Sequence, residues 1–198
     1  MMKKKKRFNL LEEYKKSFFY IKESRVPVYW IIGIFFVFAI IGFFVPSPEL
    51  ISNVIIDYIR WLLEKTENFG FQQMFGFIFL NNLKSSILSL ILGIFFGIFP
   101  VYSSLSNGYV LGFVGAKAVL ENGASVLWRL IPHGVFELMA VFLALGMGMK
   151  LGLCLFERKN KMELLKENFE KSVRVFLLVV LPLLLIAAII ETVFMFFV

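Results

Sequence analysis

The chain has 198 residues; 59% are hydrophobic, 25 are Phe, only 18% are charged, and the net charge is +7. A soluble domain of this size needs a polar shell that these proportions cannot supply, so lipid must cover much of the surface. Most of the basic residues flank apolar runs, which fits anionic lipid headgroups and argues against nucleic acid as a partner.

Residues 1–25 form a basic segment in which Leu11, Tyr14, Phe18 and Ile21 recur at helical spacing. That pattern predicts an amphipathic helix lying on the cytoplasmic face of the membrane. Residues 26–45 are the first clear span, with Tyr29 and Trp30 as an aromatic belt at one end. The run is too long for a cleaved signal peptide and reads as a retained signal anchor. In residues 47–67, Ser47-Pro48-Glu49 looks like a helix start with Ser47 as the cap. Ile51, Ile55, Ile59 and Leu62 then form one stripe, and Asn53, Asp57, Arg60, Glu64 and Glu67 another. This is expected to be an external amphipathic helix.

Residues 73–99 are read as a second span and residues 106–120 as a third, divided by a turn-rich patch at 100–108. Residues 132–153 make a fourth span, residues 155–174 a basic cytoplasmic loop, and residues 175–198 a fifth span. Nine of the 21 Lys and Arg residues precede Val26, and six lie between Arg158 and Arg174. The positive-inside rule then places both segments in the cytoplasm. The expected fold is therefore an all-α integral membrane protein of about five spans, N-terminus in and C-terminus out, with residues 26–198 forming a single membrane domain. The expected location is the plasma membrane.

Lipid is as apolar as Leu, so spans associate where small residues let backbones approach. Gly93 and Gly97 lie in the second span, Gly108, Gly112 and Ala116 in the third, and Ala140, Ala144, Gly148 and Gly152 in the fourth. These three spans are expected to form the tight core, leaving the first and last more lipid-facing. The stripes would also serve a homodimer.

A charged side chain in the hydrocarbon layer costs ~3 kcal/mol or more and needs a reason. Asn81, Asn82 and Lys84, Lys117, His133 and Glu137, and Glu191 come from four spans and fall at a similar depth. His133 and Glu137 are four residues apart and share a helix face, while Pro132 suits a first helical turn and Gly134 offers close approach. The residues are expected to form either a hydrogen-bonded knot, with Lys84 or Lys117 and the asparagines on Glu137, or a proton- or cation-handling site.

Nothing in the chain signals catalysis. One His and one Cys at the far end of its helix cannot assemble zinc, so neither metal nor cofactor is expected. Ser85 and Ser86 lack a nucleophile elbow, and no phosphate-binding glycine loop occurs.

The runs Phe79-Leu80-Asn81-Asn82, Ser106-Asn107-Gly108 with Gly112, and Ile131-Pro132-His133-Gly134-Val135-Phe136-Glu137-Leu138 resemble the stage II sporulation protein M family. The resemblance implies a multispan membrane protein whose signature positions include Asn81, Asn82, Asn107, Gly108, Pro132, His133, Gly134 and Glu137. It also implies an anchoring role, since the family's namesake holds a complex with peptidoglycan-degrading partners at the membrane. The expected function is thus a non-catalytic scaffold whose partners are membrane lipids, other membrane or extracellular proteins, or a second copy. The alternative is a transporter or channel for a small solute, ion or lipid, built around Glu137 and His133.

Overall fold

A computed structural model describes residues 9–197, the side chains of residues 127–133 excepted. It is all-α, with no strand among the described residues. Asn9 caps α1 (Leu10–Glu23) by accepting from the Leu11 N–H at 3.1 Å. Ser24 alone separates α1 from α2 (Arg25–Phe44). Helix α3 (Glu49–Thr66) starts with Pro48 in the capping position, and no side chain caps it. Ser47 does not serve as the expected cap; its hydroxyl turns to the Pro48 carbonyl instead.

Helix α4 (Phe71–Leu92) opens with the Gln73 side chain accepting from the Gly70 N–H at 3.0 Å. The chain reverses at residues 93–97, where Phe96 (φ 57°) and Gly97 (φ 71°) are both left-handed. It does not turn at 100–108. That stretch is helical and belongs to α5 (Ile98–Asn122). Its polar groups bond within the membrane fold: Asn107 donates to the Ser103 carbonyl at 2.8 Å, and Ser104 to the Ile31 carbonyl of α2 at 2.8 Å. Where no water competes, such bonds remove the reason for a turn.

Helix α6 (Leu127–Leu153) follows, then α7 (Lys161–Val175). Much of the expected basic loop is therefore a helix. It runs through a π-helical segment, Phe176–Val180, directly into α8 (Leu181–Phe197). Four helical stretches are long and apolar enough to cross a bilayer: α2, α4, Gly134–Phe156 and the continuous Lys161–Phe197. Helix α5 supplies a fifth member of the bundle; its 25 residues suffice for a crossing, but its Ser and Asn residues lower its apolarity.

Two packed clusters hold the bundle. One joins α4, α6 and α8 with the start of the chain, through Leu90, Ala140, Ala144, Met147, Leu184 and Tyr20. The other joins α2 to α6 through Ile31, Phe35, Phe142 and Leu145. The Phe35 and Phe142 rings meet edge to face at 5.1 Å.

The first and last spans are thus not simply lipid-facing. Helix α2 lies along α5, where a Cβ on Gly42 would strike the Tyr109 carbonyl and one on Gly108 the Phe35 carbonyl. Helix α8 buries Leu184, Ala187, Ala188 and Thr192. Close approach needs small residues on only part of a pair, so a Phe-rich helix qualifies when its partner supplies glycine.

Candidate functional site

Helices α4 and α6 run in the same direction, with Gly93 against Gly148 near one end. Following both helices about three turns back toward their starts brings Asn82 level with Glu137 by register. The Asn82 side chain stands against the Glu137 carboxyl. From α8, Glu191 comes within Coulombic reach of Glu137. Both glutamates are half-buried. One turn from Asn82 on the same face, Ser86 is 1% exposed and its hydroxyl has no hydrogen-bond partner among the described residues. An unmade bond on a buried hydroxyl costs ~1–3 kcal/mol.

The remaining polar residues stand elsewhere. Asn81, Lys84 and Lys117 are exposed on the bundle surface, and neither lysine forms an ion pair among the described residues. Lys84 sits two residues from Asn82, about 200° around the helix, so it cannot share the Asn82 face. Lys117 lies 5.9 Å from the centre of the Phe113 ring. Of the expected knot on Glu137, the Asn82 amide is in place, the lysines are not, and Glu191 stands near instead. The side chains of Pro132 and His133 lie outside the described residues, although both positions are helical in α6. A Cβ on Gly134 would meet nothing within 4 Å, so no backbone presses against it as expected.

The glycines occupy the other half of the bundle. A Cβ on Gly97 would stand 3.5 Å from Met149, Gly152 packs on the Gly93–Gly97 turn, and Ala144 is fully buried. Gly112 lies on the Ala39 carbonyl of α2. The family model for stage II sporulation protein M matches residues 31–194. The chain belongs to that family. No curated protein and no solved structure matches it. The stretch shared with the stage II sporulation protein M family contains Asn82, Glu137 and Glu191 and every close glycine contact named above, and it starts beyond α1.

In this member of the stage II sporulation protein M family, α1 is clasped to α7 by a second polar site. The Tyr20 hydroxyl donates to the Asn168 carbonyl at 3.2 Å and meets the Ser172 hydroxyl at 3.1 Å. Lys150 of α6 lies 4.1 Å from the Tyr20 ring centre and donates to Ser24 at 3.1 Å. Glu13 pairs with Arg174 at 2.6 Å and also with Lys16. Helix α1 thus turns Ser17, Tyr20 and Ser24 inward and leaves Leu11 and Phe18 outside, 73% and 61% exposed. Composition alone hid this face: the apolar stripe signals a surface, and only Ser17 and Ser24, bracketing Tyr20 at helical spacing, mark the contact. Gly42 and Gly146 were also missed, because neither belongs to a regular small-residue stripe; Gly146 faces Val28.

Burial pushes the Tyr20 hydroxyl up to about 12, against opposing hydrogen bonds from Ser172 and Ser24. The unfolded chain loses this proton first, near the ordinary value of ~10. Its contribution to stability is therefore complete below pH ~10 and disappears as the pH rises towards 12. Between pH 9 and 12 the melting temperature in detergent should fall more steeply for the wild type than for Tyr20→Phe. Equal slopes would mean that Tyr20 is not buried.

Proposed function

We propose that this protein is a non-catalytic scaffold of the cell membrane, with its N-terminus in the cytoplasm and its C-terminus outside. Its α1–α7 pair presents a fixed face to partner proteins. The clasp at Tyr20 carries this reading. One buried aromatic ring connects α1, α6 and α7, and both amphipathic helices run directly into spans. A pair of helices held this way keeps one orientation against the bilayer, as a docking platform requires. The basic composition of both segments supports the cytoplasmic placement. The expected partners are other membrane-associated proteins or a second copy of the chain.

The test compares capture of the tagged full-length chain from its native membranes with ion flux in proteoliposomes. A defined set of co-purifying proteins should accompany the wild type and Glu137→Gln, and should be lost from Tyr20→Ala. Flux of protons, sodium and potassium should stay at the background of empty vesicles for all three chains.

A second reading, transport of a small solute, ion or lipid, draws support from Asn82, Glu137 and Glu191 on three helices with the Ser86 hydroxyl one turn away. A facing carboxyl pair within an apolar layer is suited to holding one proton or one monovalent cation. Flux above background that Glu137→Gln abolishes, in a chain that still melts like the wild type, would overturn the scaffold and establish this reading.

A further inference from the structure

A cleft of about 450 Å³ opens between α1 and α7, bounded by Lys15, Lys16, Phe19, Tyr20, Lys171 and Arg174. One acid, Glu23, also borders it. We propose that this cleft binds the phosphate of an anionic phospholipid. The inference does not depend on the scaffold reading, because a transporter could carry the same lipid site.

Position favours a lipid over a soluble anion. The lining residues of α1 lie within two to three turns of the start of α2, and Lys171 and Arg174 lie in the last turns of α7 before the apolar Phe176–Val180 segment. The cleft therefore sits just beyond the ends of two spans, at headgroup level. Phe19 on its border is 64% exposed and Phe18 beside it 61%, which offers apolar contact to the glycerol and upper acyl carbons.

Charge favours an anion. Four cations and one acid line the cleft, and Glu13 and Glu167 beside it pair with three of those cations, which leaves the cations in excess. Glu13 engages Arg174 through Nε at 2.6 Å. A guanidinium held from one side in this way keeps its fork directed at a fixed point, which suits a planar two-oxygen contact with phosphate. Lys15 is exposed and Lys171 is anchored by Glu167 at 2.8 Å, so both ammonium groups can reach the same anion. Basic pockets between membrane helices on the cytoplasmic side are suited to acidic headgroups for these reasons.

The test is native mass spectrometry of the full-length chain released from micelles doped with phosphatidylglycerol or phosphatidylcholine. Wild type should retain phosphatidylglycerol on the order of 10-fold more than phosphatidylcholine after collisional activation. Lys15→Gln with Lys171→Gln should remove that preference. Lys22→Gln with Lys166→Gln, an equal loss of charge outside the cleft, should keep it. Equal retention of the two lipids by the wild type would overturn the proposal, and that arm needs no variant to fold. Equal loss in both double variants would overturn it too, by showing diffuse attraction. Displacement of phosphatidylglycerol by an equal concentration of inorganic phosphate would overturn the assignment to a lipid.

Discussion

Gly112→Ala is expected to disrupt the bundle, while Gly33→Ala, on the same helix pair, leaves it intact or slightly firmer. A Cβ on Gly112 would run into the Ala39 carbonyl oxygen and stand 2.9 Å from the Phe43 nitrogen, and backbone cannot step aside as a side chain can. Overpacking costs ~1–3 kcal/mol, and a rigid backbone contact belongs at the upper end of that range. At Gly33 a Cβ meets nothing within 4 Å. There the ordinary helical advantage of Ala, ~0.5–1 kcal/mol, acts alone. The two substitutions are chemically identical and should shift the melting temperature in detergent in opposite directions. If Gly112→Ala melts with the wild type, α2 and α5 do not approach as closely as described.

The second large effect is expected for Tyr20→Ala. The residue is 2% exposed and touches α7 through its hydroxyl and α6 through its ring. Truncating a buried aromatic ring costs ~3–5 kcal/mol. Because α1 and α7, at 14 and 15 residues, are too short to be spans by themselves, that cost should release the clasp rather than unfold the bundle. Trypsin should then cut among Lys161, Lys166, Lys171 and Arg174 on the order of 100-fold faster, while the spans stay intact. Tyr20→Phe keeps the ring and loses about 1 kcal/mol with the hydroxyl, so it should be cut only slightly faster. Cleavage of Tyr20→Ala at the wild-type rate would remove Tyr20 from the centre of the clasp.

The spans were readable because apolar length is a one-dimensional property: the run at 26–45 became α2 (Arg25–Phe44), and the 132–153 run lies within α6. The reversal between α4 and α5 was not. Ser103, Ser104 and Asn107 look like turn residues in water, yet in this bundle they bond to helix carbonyls. The actual turn uses Phe96, an unusual residue for left-handed backbone, next to Gly97.

For the polar residues, position along a helix is encoded in the spacing, but azimuth toward a neighbour is not. Asn81, Asn82 and Lys84 occupy one level but point in different directions, so only Asn82 reaches Glu137. That Glu191 would come to the same place depends on how α8 packs on α6, which no single span encodes. The clasp was the least legible part. It joins residues about 150 positions apart, such as Tyr20 and Ser172, through a polar face on a helix whose apolar residues point away.

Helix α7 continues into α8 without a break, giving a rod of 37 residues from Lys161 to Phe197. At 1.5 Å per residue it is ~55 Å long. Glu191 rides near one end of this rod and the Tyr20 clasp grips the other. Any partner or lipid that tilts α7 must therefore swing Glu191 relative to Glu137, as the far arm of a lever moves with the near one. Phe176 and Val180, buried in the core cluster where the π segment passes it, are the fulcrum. Events at the basic surface and the spacing of the two half-buried carboxyls are, by this connection, mechanically one variable.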